Sequence, residues 1–512
     1  MQRTALLTIV LISLALRLTL AITHDNYLGV DGGAYLLSRN AVLGDEPTGA
    51  GFPRPPLAPG WQLVPFTSVL GDNNGYKAWS AIAATFPLLA VYLISRRFLK
   101  PWQALLPVLF VSIDMLHAEM FVTGALPLQG FTLIGVAIWA MWRLADPREF
   151  QWRYVALLAA CIPLTVYVNQ TAAGLIAIAL PAFMLFLAAT YRHSNLAWPL
   201  RVAAAPFTYL PMTVGMLIGG LVALSALPWY LAIAPGSEIL RYPGPWVYLA
   251  QWPDMAWLQF LLAIPVAYWL IRYAEDYRIR ALGCMVGLFG LLLVFMSTDE
   301  TVINIFYRSR YLLAVFIYPA LAWMVFKYWW PGLFFLLRGR LACPRKVARA
   351  APLAVALALV GLGAWEYVNS FYGQARYSDM ATEATVAALE VADADQTGEG
   401  IVSNSFTLSL WIAALNKVES PHIWTWEPPR AYTETDKDVR CVLGWVSGCD
   451  WQASVAKLGV SHVLVDHRFP NYNDRAPGIY KAPPDQWEVT ARAPWLKLEF
   501  EQGTTKLWRI RL

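Results

Sequence analysis

The sequence predicts an α-helical polytopic membrane protein, with about eleven spanning helices followed by a small C-terminal α/β domain. Three observations carry this reading. Hydrophobic residues make up 58% of the 512 and charged residues 14%, whereas a soluble chain is about 25% charged, so the polar surface is too small to cover the protein in water. Apolar runs of about 18–22 residues, long enough to cross a hydrocarbon core of about 30 Å, recur through residues 1–368. Residues 370–512 return to ordinary soluble composition, and about 140 residues suffice for one small core. The expected organisation is therefore a membrane domain over 1–369, with a long first external loop at 23–75, and an extramembrane domain over 370–512.

The expected spans are 4–22, 76–95, 102–116, 122–142, 154–169, 172–191, 205–230, 256–271, 281–297, 311–329 and 350–369. The 102–116 segment is short for a span. Lys and Arg set the orientation, because loops rich in them stay on the cytoplasmic side. One set of connections holds 18 of them, among them Arg96, Arg97, Lys100, Arg143, Arg272 and Arg278; the other set holds six, namely Arg39, Arg54, Lys77, Arg241, Arg308 and Arg310. The expected N-terminus is cytoplasmic, and an odd number of crossings places 370–512 outside. The net charge of +5 is thus a topology signal rather than a nucleic-acid signal. Residues 1–22 read as a retained first helix, since Thr23, His24, Asp25 and Asn26 follow it in place of a small-x-small cleavage site.

Of the five cysteines, Cys161 and Cys284 fall in spans and Cys343 in a cytoplasmic connection. Cys441 and Cys449 both fall in the outer domain, where they are either a disulfide or two small apolar residues. The sequence contains neither a Cys-x-x-Cys pair nor a His/Cys cluster of metal-site spacing.

The outer loops are richer in polar and aromatic residues than connectors need to be. The first contains Gly29-Val30-Asp31-Gly32-Gly33-Ala34-Tyr35-Leu36 and then Arg54-Pro55-Pro56-Leu57. Asp31 follows the first span among glycines that let a backbone approach a ligand closely. It is either a turn aspartate, the common use of Asp beside Gly, or a general base toward an acceptor hydroxyl or amine. Arg54 precedes two prolines that fix its backbone, and its planar fork suits a phosphate; the plainer alternative is an interfacial arginine touching headgroups. Residues 231–255 hold Arg241 with Tyr242, Trp246, Tyr248 and Trp252. Residues 298–310 end in Tyr307-Arg308-Ser309-Arg310, ahead of Tyr311. These arginines either hold a phosphate at the bilayer surface or anchor a helix end. Arg17 lies inside the first span but near its outer end, where snorkelling accounts for it as well as function does.

These residues resemble the polyprenyl-phosphate-dependent glycosyltransferases of the GT-C fold, such as protein O-mannosyltransferases and the lipid A aminoarabinose transferase. Asp31 with Tyr35 is similar to their Asp-x-x-x-Tyr, Arg54-Pro55-Pro56-Leu57 to their Lys/Arg-Pro-Pro-Leu, and Arg310-Tyr311-Leu312-Leu313 to the Arg-Tyr-Leu-Leu that opens a late span. The sequence departs from the family at Gly124, in Thr123-Gly124-Ala125-Leu126-Pro127, where relatives often carry Asp or Glu. Asp114, His117 and Glu119 stand just upstream as possible substitutes. The resemblance implies an inverting sugar transfer from a polyprenyl-phosphate donor to a glycan, lipid or protein acceptor at the outer face of the cell membrane. Asp31 would serve as base, with Tyr35, Arg54, Arg241, Arg308, Arg310, Tyr311, His117 and Glu119 contacting substrate. Membrane lipids are the other expected partner. No cofactor is implied, and the sequence supports no metal site.

In the outer domain, the pattern predicts a helix over 377–395, a strand at Gly400–Ser403, a helix over 405–416, a strand at Val463–Val465 and a C-terminal hairpin turning at Gly503. The domain reads as a lid or acceptor-recognition element, or as a stabiliser of the membrane part. The competing functions are a transporter and a lipid-linked glycan ligase or polymerase. No internal repeat and no ionisable residue central in a span supports transport.

Overall fold

The computed structural model describes residues 2–24, 27–28, 32–44, 60–114, 121, 126–191, 196–228, 255–295, 309–394, 399–416, 418, 420, 434–468 and 486–511. The chain folds as two compact units. The first comprises Met1–Leu20, Ser80–Leu231 and Pro243–Gln374; the second comprises Ala21–Trp79, Ala232–Tyr242 and Ala375–Leu512.

The first unit is helical. Its helices are α1 (Gln2–Ile22), the end of α3 (Gly60–Ala83), α4 (Pro87–Ser95), α5 (Leu105–Ser112), α6 (Leu126–Leu144), α7 (Trp152–Val168), α8 (Gln170–Thr190), α9 (Leu210–Ala223), α10 (Met255–Tyr273), α11 (Tyr277–Phe295), α12 (Ser309–Met324) and most of α13 (Arg345–Ser378). Among the described residues, five helices are long and apolar enough to span a bilayer: Thr4–Ile22, Gly60–Ser95, Ala172–Thr190, Tyr311–Arg340 and Arg345–Phe371. The outermost of these face away from the protein. In Arg345–Phe371, Leu353, Leu357, Leu359, Leu362 and Trp365 are all exposed. An apolar surface of that extent belongs in lipid, and the chain is a multi-pass membrane protein.

Without a hydrophobic driving force between lipid-embedded helices, close packing relies on small residues. A β-carbon at Gly130 would fall 2.4 Å from that of Ala172, and one at Gly135 would fall 2.6 Å from that of Ala90. These two glycines set α6 against α8 and against α4. At one end of the unit, Arg97 and Arg143 share Glu149 at 2.5 and 3.2 Å, and Arg278 reaches Asp146 at 3.3 Å and Asp276 at 2.9 Å. Three of the basic connections that the charge count groups together therefore meet at the same end.

Several expected spans differ in their bounds, the last two running as Tyr311–Arg340 and Arg345–Phe371, and two differ in form. The helix expected over 102–116 covers Leu105–Ser112 within the described residues. The helix expected to begin at 76 begins at Gly60; it bends at Gly71, whose φ of 75° interrupts the helical backbone, and breaks before Pro87. The part of this helix up to Trp79 belongs to the second unit.

The second unit joins the first-loop helices to the C-terminal domain. Here α2 (Gly32–Leu43) packs along α15 (Phe406–Asn416), and strand β1 (Tyr27–Leu28) pairs antiparallel with β2 (Asp379–Ala381). The domain continues with α14 (Glu383–Ala394), β3 (Gly400–Ser403), α16 (Glu434–Val442), α17 (Trp451–Leu458), β4 (Val460–Asp466), β5 (Leu496–Gln502) and β6 (Thr505–Ile510). Its sheet runs β3-β4-β6-β5, with β3 and β4 parallel and the other pairs antiparallel. Val402, Val463, Val465, Trp508 and Ile510 form the core with Val439 and Val442 of α16 and Leu443 just after it. Asp450 caps α17 by accepting from Ala453 N–H at 3.0 Å, and Gly459, at φ 62°, ends it in the left-handed conformation.

Strand β3 and the hairpin lie where the pattern places them, with Gly503 in its turn at φ 57°. The alternation of Leu496, Leu498 and Phe500 with Lys497, Glu499 and Glu501 predicts one core-facing side for β5, and it is broken within the strand. The register shifts between Leu498 and Phe500, and Leu498 is 44% exposed instead of facing the core. The extra residue falls after Leu498, so the faces it reverses are those of Phe500 and the residues that follow. Strand β4 is longer than predicted and wholly buried. The predicted 377–395 helix is the end of α13, strand β2 and then α14.

Cys441, at the end of α16, and Cys449, in the turn before α17, form a disulfide. Closing a loop of this size is worth about 2–3 kcal/mol through the unfolded chain. Reduction is expected to lower the unfolding temperature of the C-terminal domain without changing that of the helical unit. Identical melting with and without reductant would remove the stabilising role.

Candidate functional site

In the second unit, α2 begins with Gly32 and Gly33, directly after Asp31 in the chain. A β-carbon at Gly32 would lie 2.4 Å from Trp411 Cζ2 and 3.1 Å from Tyr76 Cζ; one at Gly33 would lie 2.8 Å from the Leu410 carbonyl carbon. The close approach that glycine allows here is to the protein's own helix α15, not to a ligand. Tyr35, one turn later, has no exposed surface. Its ring meets Trp79 edge-on at 5.7 Å and Tyr76 at 6.4 Å, and Tyr76 in turn meets Trp411 edge-on at 6.1 Å.

The other end of α2 is fixed by polar contacts. Arg39 donates to Asn40 Oδ1 at 3.0 Å and forms a two-pronged pair with Asp72, while Asn40 Nδ2 donates to the Ala414 carbonyl at 3.0 Å. A nearly buried guanidinium is tolerable when a carboxylate faces it in this fork geometry. Lys77, also buried, donates to the His24 carbonyl at the exit of α1. Sequence reasoning missed Arg39, Asn40, Asp72, Lys77 and Trp411. Arg39 and Lys77 had been counted as topology charges, and only their burial distinguishes them.

In the first unit, Tyr311 is buried and stacks on Phe131 with centroids 6.2 Å apart. Arg310 belongs to the first turn of α12, so the Arg-Tyr-Leu-Leu segment opens a helix as expected. Arg17 is wholly buried and does not snorkel. Its guanidinium donates to the Ser13 carbonyl and the Ser112 carbonyl at 3.2 Å each and to the Ser13 hydroxyl, and lies 5.4 Å over the Tyr367 ring. Spare donors are thus spent on a carbonyl at the C-terminal end of α5, where helical partners run out, and on an aromatic face. Two residues further on, Asp114 is buried and accepts a hydrogen bond from the Tyr318 hydroxyl.

Asp31, Arg54, His117, Glu119, Arg241 and Arg308 lie outside the described residues, as does the Arg310 side chain. Among the described residues no three His, Cys, Asp or Glu side chains converge as metal ligands. In the C-terminal domain, Asp466 and His467, adjacent in the chain, meet different partners. Asp466 is buried against Arg468, at 2.6 Å, and Asn404, whereas the His467 ring packs 4.9 Å from Trp487.

The architecture is shared with solved membrane proteins. ArnT from Cupriavidus metallidurans in the apo state superposes with a TM-score of 0.55 at 14% identity, over 98% of this chain and 97% of that one. The same protein bound to undecaprenyl phosphate gives 0.54 over the same shares. The archaeal oligosaccharyltransferase AglB from Archaeoglobus fulgidus, in complex with an inhibitory peptide and a dolichol-phosphate, gives 0.56 at 13% identity, over 92% of this chain and 70% of that one.

The chain has the GT-C fold. The GT-C likeness to ArnT spans both chains almost end to end, so it takes in the C-terminal domain as well as the helical unit. No protein-family model matches the sequence, and no curated protein matches it in sequence.

Proposed function

We propose that the protein is an integral membrane glycosyltransferase that moves a sugar from a polyprenyl-phosphate donor to an acceptor on the outer face of the cell membrane. The observation that carries this reading is the end-to-end GT-C likeness to ArnT, including its undecaprenyl-phosphate complex. In sequence, Asp31, Arg54 and Arg310 stand in the motifs that resemble the family's.

In this reading the chain crosses the membrane about eleven times, with its N-terminus cytoplasmic and residues 370–512 outside. The lipid tail stays against the spans. Asp31 takes the proton from an acceptor hydroxyl or amine. The acceptor atom forms its bond to the anomeric carbon as the bond from that carbon to the phosphate oxygen breaks, so configuration inverts and no covalent enzyme intermediate forms. The electron pair leaves with the lipid phosphate, where Arg54 and Arg310 stabilise the developing charge. Arg241, Arg308, His117 and Glu119 complete the proposed substrate contacts, whereas Tyr35 and Tyr311, both expected to contact substrate, are buried and act through the helices they hold. No step is routed through a metal, although one Archaeoglobus fulgidus oligosaccharyltransferase structure is a complex with Zn and sulfate.

The test is release of polyprenyl phosphate from a panel of lipid-phosphate sugars by protein in nanodiscs, with Asp31→Asn alongside. Release by the wild type alone establishes the transfer and names the sugar. The AglB likeness favours adding lipid-linked oligosaccharides to the panel; release only from those moves the function to a glycan ligase. No release from any donor, with acceptors of each class supplied, overturns the proposal.

A further inference from the structure

We propose that the helical arm of residues 325–349, between the last two long helices, is a binding site for anionic phospholipid headgroups. The helix Tyr311–Arg340 is 30 residues long, about 45 Å at 1.5 Å per residue, against a hydrocarbon core of about 30 Å. Its first half is packed into the helical unit, where Tyr311, Leu312, Phe316, Ile317 and Ala320 are buried. From Val325 to Arg340 no residue is buried. The helix takes leave of the unit around Phe326, whose ring meets Trp102 edge-on at 5.1 Å, and Lys327, which pairs with Glu275 at 3.3 Å. Glu275 precedes Asp276, the partner of Arg278, so the arm departs from the end where the charged connections meet.

Beyond that point Trp329, Phe335, Leu336, Leu341 and Val347 are all exposed, Phe335 by 73%. The tip is a defined turn. Ala342 takes the left-handed conformation at φ 49°, the Cys343 N–H donates to the Leu337 carbonyl at 2.9 Å, and the Arg338 guanidinium donates to the Cys343 carbonyl at 3.3 Å. Helix α13 starts again at Arg345. Six cations stand on this arm, Lys327, Arg338, Arg340, Arg345, Lys346 and Arg349, and the chain has no Asp or Glu from 301 to 365. Among the described residues, only Lys327 of the six faces a carboxylate. Arg345 and Lys346 occupy the first turn of α13, where the helix dipole favours acids, so capping does not account for them. Exposed rings among unopposed cations match a layer that is apolar beneath and anionic above, which is the headgroup boundary of a bilayer containing acidic phospholipid. A nucleic acid or an acidic protein would match the charge and leave the rings in water.

The test uses the full chain in neutral detergent, with phosphatidylglycerol or phosphatidylcholine titrated in and bound lipid counted by native mass spectrometry. Phosphatidylglycerol is expected to bind about tenfold tighter or better. Each cation near an anionic surface is worth about fivefold in affinity. The combined Arg338→Gln, Arg340→Gln, Arg345→Gln and Lys346→Gln variant is therefore expected to lose that preference, with phosphatidylcholine binding unchanged. Removing exposed cations elsewhere in the helical unit, by Arg148→Gln, Arg153→Gln and Arg272→Gln together, is expected to change phosphatidylglycerol affinity less than about threefold. Equal loss in the two variants would show diffuse attraction and overturn the site. Equal binding of the two lipids by the wild type would overturn it too, and leave the arm to an acidic macromolecule. Displacement of phosphatidylglycerol by an equal concentration of polyprenyl phosphate would assign the arm to a polyprenyl lipid instead. Should the four-residue variant fail to fold, a polarity-sensitive dye on Cys343, with Cys161→Ala and Cys284→Ala, decides the matter in nanodiscs. Its emission is expected to shift when phosphatidylglycerol replaces phosphatidylcholine and to revert at high salt; no shift overturns the proposal.

Discussion

Asp31→Asn is expected to lower turnover by about 10²–10⁴-fold while donor affinity stays near the wild-type value. The amide has nearly the shape of the carboxylate, so packing is preserved. What is lost is the lone pair that accepts the acceptor's proton as its bond to the sugar forms. The donor carries no proton that this group must remove, which is why binding survives. The measurement is kcat and donor KM with one acceptor, together with direct binding of a non-transferable lipid phosphate. Weaker binding at an unchanged catalytic rate would contradict the base role and return Asp31 to the turn aspartate that its glycine neighbours equally allow.

Arg54→Ala is expected to weaken donor binding and to lower turnover further, together by about 10²–10³-fold in kcat/KM. The guanidinium meets a phosphate that is singly charged in the donor and gains charge as the sugar departs. Its interaction therefore strengthens toward the transition state, and loss of the cation appears in kcat as well as in KM. Arg54→Lys separates charge from geometry. An ammonium restores the charge without the planar two-donor fork, so partial recovery is expected. An unchanged reaction in Arg54→Ala would remove the phosphate role and leave an interfacial arginine that touches headgroups.

Much of the fold was legible because two signals are local. Apolar runs identify helices in lipid by length alone, and alternation with Gly503 identifies the terminal hairpin. Helices α16 and α17 were not read from the sequence although each has one apolar face; both are only about two turns long, and the cap at Asp450 was the clearest signal for the second. The bulge in β5 leaves no mark in composition, so its effect on Phe500 appears only once pairing with β6 is known. Strands β1 and β2 are two and three residues long and pair across most of the chain, which gives neither a recognisable pattern.

The candidate site divides in the same way. Asp31, Arg54 and Arg310 stand out in sequence because they sit in short motifs on one expected side of the membrane. The residues that hold α2 do not. Asn40 and Ala414 are 374 residues apart, and no local pattern joins them. Arg39 and Arg17 look like ordinary loop and helix-end cations until burial shows one paired with Asp72 and the other bonded to Ser13 and Ser112 under an aromatic ring.

By itself the sequence determined that this is a multi-pass membrane protein with a mixed α/β domain after its last apolar run, and it pointed to the first external loop. Hydropathy and period are properties of neighbouring residues, so they survive without any knowledge of the fold. Only the tertiary structure decided that this loop is built into the C-terminal domain, with two glycines against one tryptophan. That contact depends on which surfaces meet after the chain has crossed the membrane repeatedly, and surface complementarity at such separation has no signature along the chain.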